Sequence, residues 1–242
     1  MLILGLHKTT LLDYPGHVAA TLFTGGCNFR CPYCHNKDIV QIAKSLVPLS
    51  ETELFSFLEK RRGILTGVCI TGGEPTLHSD LPNLIQRIKS LGYLIKLDTN
   101  GTNPDMLESL ICTNLIDYCA MDIKNAPEKY SVTVGAASNG SFLDLSAINK
   151  SIQLLIQQPT IAYEFRTTIV QELHSETDLQ AICQWIAGAQ AYFLQSYQDS
   201  AGVLQKGFHA HSAEILQSYV TLCRQYIPNT TLRGVYTGGQ TD

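Results

Sequence analysis

Gly67-Val68-Cys69-Ile70-Thr71-Gly72-Gly73-Glu74-Pro75 decides how this chain folds. A short run of apolar and β-branched side chains ends abruptly in two glycines, and an amphipathic pattern at 81–91 follows. A run of that length before turn residues, with a 3.6-residue period after them, reads as strand, loop and helix. The phrase recurs along the chain. Runs at 17–23, 93–98, 116–122, 162–170 and 191–195 read as further strands. Segments 52–62, 105–112, 146–157, 178–187 and 212–226 space apolar residues three and four apart, as helices do. Alternation of this kind gives βαβ units, hence an α/β protein built as a partial (β/α)6-type open barrel of mostly parallel strands. In such folds the chemistry collects beyond the C-terminal ends of the strands.

The 242 residues are 45% hydrophobic and 16% charged, which suits one domain over 1–242. Its core is expected at about 17–200, with an N-terminal segment 1–16 and a C-terminal helix and tail 201–242. The stretch 125–145, rich in Ser, Ala, Gly and Asn, reads as an excursion beyond a strand end, and 237–242 as a mobile tail. A net charge of −4 gives no electrostatic case for nucleic acid or a membrane surface. No apolar run approaches the ~18 residues of a transmembrane helix, and the start lacks a secretory layout. A cytoplasmic protein is expected.

Cysteine is the unusual residue, with 8 in the chain. Cys69, Cys112, Cys119, Cys183 and Cys223 are scattered through apolar segments, where a thiol serves as a small core residue, and no disulfides are expected. Cys27, Cys31 and Cys34 are different. They lie in Thr24-Gly25-Gly26-Cys27-Asn28-Phe29-Arg30-Cys31-Pro32-Tyr33-Cys34-His35-Asn36, directly after a strand. Three thiolates at C-x3-C-x2-C can wrap one site and leave a position open; on an iron–sulfur cube, which normally takes four, one iron stays free. Two rivals share the residues. Cys31 to His35 matches the c-type haem pattern C-x-x-C-H, and Cys27, Cys31, Cys34 and His35 could form a closed zinc knot. The first leaves Cys27 unused, and the second asks adjacent residues to ligate one ion.

C-x3-C-x2-C with an aromatic residue before the last cysteine resembles the signature of the radical S-adenosylmethionine (radical SAM) enzymes. That resemblance implies the radical SAM fold, with Cys27, Cys31 and Cys34 holding a [4Fe–4S] cluster whose free iron chelates S-adenosylmethionine. The reduced cluster cleaves the cofactor to methionine and a 5′-deoxyadenosyl radical. Tyr33 would pack against the adenine. No catalytic side chain beyond cluster and cofactor is expected.

Three further strand ends carry motifs that suit this cofactor. Gly72, Gly73 and Glu74 look like the segment that binds the methionyl amino group, the glycines allowing close approach and Glu74 supporting the ammonium. Asp98, Thr99, Asn100 and Gly101 end another strand, and Asp122-Ile123-Lys124 the next. Lys124 could pair with the methionyl carboxylate, and Asp98 and Asp122 could bind the ammonium or a monovalent cation. Arg166 is a further cofactor contact or a satisfied interior arginine.

The last two motifs are similar to those of glycyl-radical activating enzymes. His7-Lys8-Thr9-Thr10-Leu11-Leu12-Asp13-Tyr14-Pro15-Gly16 resembles the start of anaerobic ribonucleoside-triphosphate reductase activating proteins. The likeness implies a glycyl-radical enzyme as partner, with a flavodoxin- or ferredoxin-type electron donor. A small-molecule enzyme like the 7-carboxy-7-deazaguanine synthases stays open, with Glu164, Gln195 and Tyr197 available to a substrate, as does a non-catalytic metal-binding module.

Overall fold

The computed structural model describes residues 1–136 and 143–234. Its strands are β1 (Ile3–Thr10), β2 (Ala19–Thr24), β3 (Gly67–Gly72), β4 (Leu94–Thr99), β5 (Tyr118–Asp122), β6 (Ala162–Ile169), β7 (Tyr192–Ser196) and β8 (Thr230–Arg233). They follow in sequence order through an eight-stranded sheet. β2–β3, β3–β4, β6–β7 and β7–β8 pair parallel, and β1 runs antiparallel to β2. Between them come α1 (Lys37–Gln41), α2 (Glu51–Lys60), α3 (Leu81–Ser90), α4 (Pro104–Cys112), α5 (Pro127–Thr133), α6 (Ser146–Gln157), α7 (Glu176–Trp185) and α8 (Ala213–Arg224).

Every strand and helix expected from periodicity is present, with ends displaced by no more than two residues. β1, β8, α1 and α5 are additional. β1 lies inside the segment 1–16 and exposes His7, Lys8 and Thr9, which breaks any apolar run. β8 is four residues long and three of them are polar, too short for a pattern. The stretch 125–145 contains α5, and the tail 237–242 lies outside the described residues. Among the described residues no helix is long and apolar enough to cross a membrane.

The chain divides into two compact units whose segments interleave. The first comprises 1–28, 36–120 and 146–163. Its core joins Val68 and Ile70 of β3, Ile95 and Leu97 of β4, Leu54 and Leu58 of α2, and Ile85 and Ile88 of α3, all fully buried. Two of its helices, α2 and α4, begin where side chains satisfy their first N–H groups. Ser50 and Glu53 form a capping box on α2, and Asn103 accepts from the Met106 N–H at 3.2 Å to start α4. The second unit comprises 29–35, 121–145 and 164–242. There Leu179, Ile182 and Cys183 of α7 and Leu216, Val220 and Cys223 of α8 are buried, as are Phe165, Tyr192 and Leu194 of β6 and β7. Ser175 and Asp178 form the capping box of α7.

Candidate active site

In the first unit the site grows from a close meeting of two strand ends. Beyond β2 and β3, the Gly73 N–H donates to the Thr24 carbonyl and the Glu74 N–H to the Gly26 carbonyl, both at 2.8 Å. Only glycine permits this. A Cβ on Gly73 would sit 1.7 Å from the Gly26 oxygen, and Gly72 has a φ of +118° with a Cβ position 2.3 Å from the Thr24 nitrogen. The close approach that these glycines make is therefore to the loop that begins with Cys27.

Glu74 is 1% exposed and faces inward. One carboxylate oxygen accepts from the Thr76 N–H (3.1 Å), the Thr76 hydroxyl (2.6 Å) and the Thr99 hydroxyl (2.7 Å), and the other from the Asn100 N–H (2.6 Å). Burial pushes its pKa up and these donors pull it part of the way back. These partners tie the loop after β3 to the loop after β4.

Asn100, also buried, extends this tie to the cysteine loop. Its amide nitrogen lies 2.9 Å from Asn28 Oδ1 and 3.9 Å from Cys27 Sγ. Asp98 is ion-paired with Lys96, a lysine 1% exposed in the middle of β4, and Cys69 Sγ is 3.8 Å from the same ammonium. The period-2 alternation of β4 puts Lys96 and Asp98 on one face and Ile95 and Leu97 on the other.

In the second unit, Cys31 to Cys34 form a tight turn in which the Cys34 N–H donates to the Cys31 carbonyl at 3.0 Å. Its outer carbonyls are held by the chain: the Gln205 N–H donates to Pro32 at 2.8 Å and the Leu204 N–H to Cys34 at 3.0 Å. Tyr33 is 4% exposed and its hydroxyl is buried without a hydrogen-bond partner. Burial and the neighbouring Cys31 push its pKa far up, so it stays a neutral phenol.

Asp122 stands between two cations, with Lys124 Nζ and Arg166 Nε each at 2.9 Å. Burial works against its charge, but Arg166 and Lys124 outweigh it and hold the carboxyl at about 2. Arg166 thus serves Asp122 directly. With Asp98 on Lys96 and Asp122 on two cationic groups, each carboxylate is already neutralised by side chains, which removes the reason to place a monovalent cation at either. The Lys124 backbone is braced as well: His174 Nε2 lies 2.9 Å from its carbonyl oxygen, while Nδ1 accepts from the Val170 N–H at 3.0 Å.

A polar cavity of about 320 Å³ opens at the ends of β6, β7 and β8, lined by His35, Thr168, Gln195, Ser196, Gln198, Arg233 and Gly234. His35 Nδ1 is 3.2 Å from the Ser200 hydroxyl and its ring lies against Tyr197, engagements that compete with the zinc-knot role. Glu164 is fully buried and bound by both terminal nitrogens of Arg233 at 2.5 and 2.9 Å, so it fills the interior instead of facing a substrate. Asn28, Thr102, Lys96 and His174 carry the site yet escaped the sequence reading. Asn28 and Thr102 adjoin motif residues, and Lys96 interrupts an apolar strand; each position was a readable signal.

None of the eight cysteines is in a disulfide. Among the described residues no three His, Cys, Asp or Glu side chains close on a single metal ion. A cube spreads its thiolates over separate irons, so three cysteine side chains suit it by the chemistry of the donor set.

An α/β chain with these strand-end motifs belongs to the radical SAM superfamily, whose family model matches residues 21–148. That family implies a [4Fe–4S] cluster and S-adenosylmethionine. The chain is 30% identical over 239 residues to the "Putative glycyl-radical enzyme activating enzyme MJ1227" of Methanocaldococcus jannaschii, covering 97% of this chain and 96% of that one. It is 38% identical over 79 residues to the 7-carboxy-7-deazaguanine synthase of Aquifex aeolicus, a match that covers 32% of this chain and 33% of the synthase. Among solved structures, Streptococcus suis SuiB bound to S-adenosylmethionine superposes with a TM-score of 0.67 at 13% identity, over 92% of this chain and 55% of SuiB. The chain thus spans about half of SuiB, and that likeness concerns the fold alone.

Proposed function

We propose that this protein is a radical SAM activating enzyme that installs a glycyl radical in a partner protein, an anaerobic ribonucleoside-triphosphate reductase. The observation that carries this reading is the end-to-end match to MJ1227, 97% of one chain and 96% of the other, against a third of each for the deazaguanine synthase. The N-terminal resemblance favours the reductase, and β1 leads into a connection that exposes Leu11 and Leu12, 72% and 86% accessible, of the kind a protein partner covers.

Cys27, Cys31 and Cys34 would hold the cluster, and Tyr33 would lie beside the adenine. Gly72, Gly73, Asp98, Thr99 and Asn100 shape the loops that receive the cofactor, and Glu74 fixes two of those loops to each other. Lys124 and Arg166 present positive charge suited to the methionyl carboxylate, with Asp122 aligning both. Bound there and given one electron by a flavodoxin- or ferredoxin-type donor, cluster and cofactor would supply the hydrogen-abstracting chemistry, for which the Cα hydrogen of a partner glycine would be the target. The protein's own task is to orient the cofactor and exclude water.

Anaerobic mixing of reduced, reconstituted protein with S-adenosylmethionine and a glycyl-radical enzyme tests this by electron paramagnetic resonance. A glycyl doublet that disappears when the partner's glycine is replaced by Ala is expected. Turnover of a purine-like metabolite with no polypeptide radical would favour the second reading, a small-molecule enzyme, for which the polar cavity at β6–β8 speaks.

A further inference from the structure

Asn28, Thr102 and Asn100 form a closed ring of hydrogen bonds beside Cys27. Asn28 Nδ2 donates to Thr102 Oγ1 (2.9 Å), the Thr102 hydroxyl donates to Asn100 Oδ1 (2.7 Å), and Asn100 Nδ2 donates to Asn28 Oδ1 (2.9 Å). Each member gives one bond and takes one, and such circuits polarise in a common sense. The Thr102 backbone N–H also donates to Asn100 Oδ1 at 3.0 Å. A flipped Asn100 amide would set its NH2 against that N–H, so its orientation is fixed by a group that cannot rotate away. The backbone is fixed too, since the Asn100 N–H is bound to Glu74. The second amide hydrogen is left facing Cys27 Sγ, 3.9 Å from the nitrogen.

We infer that Asn100 is a positioning residue that tunes the cluster through the Cys27 sulfur, not a cofactor ligand. This rests on the assignment of Cys27 to the cluster. A donor aimed at a ligand sulfur stabilises the more negative, reduced cluster and raises its potential, and hydrogen bonds to sulfur are among the features that set such potentials. Asn28 holds the amide from one side and Thr102 from the other, so the ring keeps the donor aimed whether or not the cofactor is present.

The test is a redox titration of anaerobically reconstituted protein, followed by electron paramagnetic resonance, with iron content measured on the same samples. Asn100→Leu keeps the shape and removes the donor; Thr102→Val keeps the donor and opens the ring, leaving only the backbone N–H of residue 102 on Asn100 Oδ1. At an applied potential equal to the wild-type midpoint, the ratio of reduced to oxidised cluster should fall about threefold or more in Asn100→Leu, and less in Thr102→Val, with iron unchanged. Equal midpoints in all three proteins would overturn the inference while leaving the cluster assignment standing. Should Asn100→Leu not retain iron, Asn100→Ala, which removes the donor without adding a bulky side chain, decides: a midpoint equal to wild type sinks the inference. A wild-type protein that takes up no cluster sinks both readings together.

Discussion

The carbonyl oxygen of Gly26 lies 1.7 Å from where a Cβ of Gly73 would stand. Two loops, one leading into Cys27 and the other into Glu74, are thereby pressed together backbone to backbone. Sequence reasoning expects the glycine to allow close approach of a ligand. The structure adds a close approach to the protein's own backbone. Gly73→Ala should already destabilise the protein without any cofactor, by about 3 kcal/mol or more, since neither backbone can yield cheaply. Urea unfolding of metal-free protein measures it, and wild-type stability in Gly73→Ala would count against the packing described.

Glu74→Gln is the second informative change. A backbone N–H points at each of the two carboxylate oxygens, Thr76 at one and Asn100 at the other. Whichever way the new amide turns, its NH2 confronts an N–H that cannot rotate. A loss of about 1–3 kcal/mol is expected. Unfolding midpoints of the two proteins at neutral pH decide it; equal midpoints would mean that the carboxylate is not what joins the loops.

The third prediction concerns pH. Burial keeps His174 neutral and lowers its pKa below the ordinary value. The unfolded chain therefore binds the extra proton more readily, and the stability due to neutral His174 is present above a pH of about 6.5 and lost as pH falls through the depressed value. His174→Gln keeps a donor for the Lys124 carbonyl and an acceptor for the Val170 N–H but does not titrate. Melting temperatures between about pH 7.5 and 5.5 should fall more steeply in wild type than in this variant. Parallel slopes would refute the role.

Thiol accessibility gives the fourth. Cys31, Cys69, Cys119, Cys183 and Cys223 are buried, Cys27 and Cys34 are partly exposed, and Cys112, expected in the core, is exposed at the end of α4. Cys183 raises the pKa of Cys223 by hydrogen bonding to it, with burial acting in the same direction, so Cys223 lacks thiolate character. Anaerobic alkylation of the native metal-free protein should modify Cys112 first and leave the five buried thiols untouched. Rapid labelling of Cys183 or Cys223 would contradict the packing of α7 on α8.

The repeating elements were legible because each buried strand is a compact apolar run closed by glycine or a polar turn, as in Val68 to Gly73. β1 and β8 were not, because a strand with exposed His7 and Lys8 and another of four residues carry no period. The motif residues were legible as a set, but their roles were not. Glu74 and Asn100 have the chemistry of ligand contacts in the sequence, and only three-dimensional placement shows them spent on Thr76, Thr99, Asn28 and Cys27. Asp98 is similar: nothing in Asp98-Thr99-Asn100-Gly101 reveals that Lys96, two residues earlier on the same face, neutralises it.

The Arg233–Glu164 pair gives the last strand a second significance. Glu164 has no solvent to fall back on, and Arg233, flat against the Phe193 ring at 3.3 Å from its centroid, supplies its counter-charge from four residues of edge strand. Shortening the chain to end before Thr230 would strip the guanidinium from a carboxylate sealed inside β6, an electrostatic lesion far larger than the loss of a short strand suggests. A soluble but inactive truncation of this kind would be reporting a displaced β6 as readily as a missing functional group.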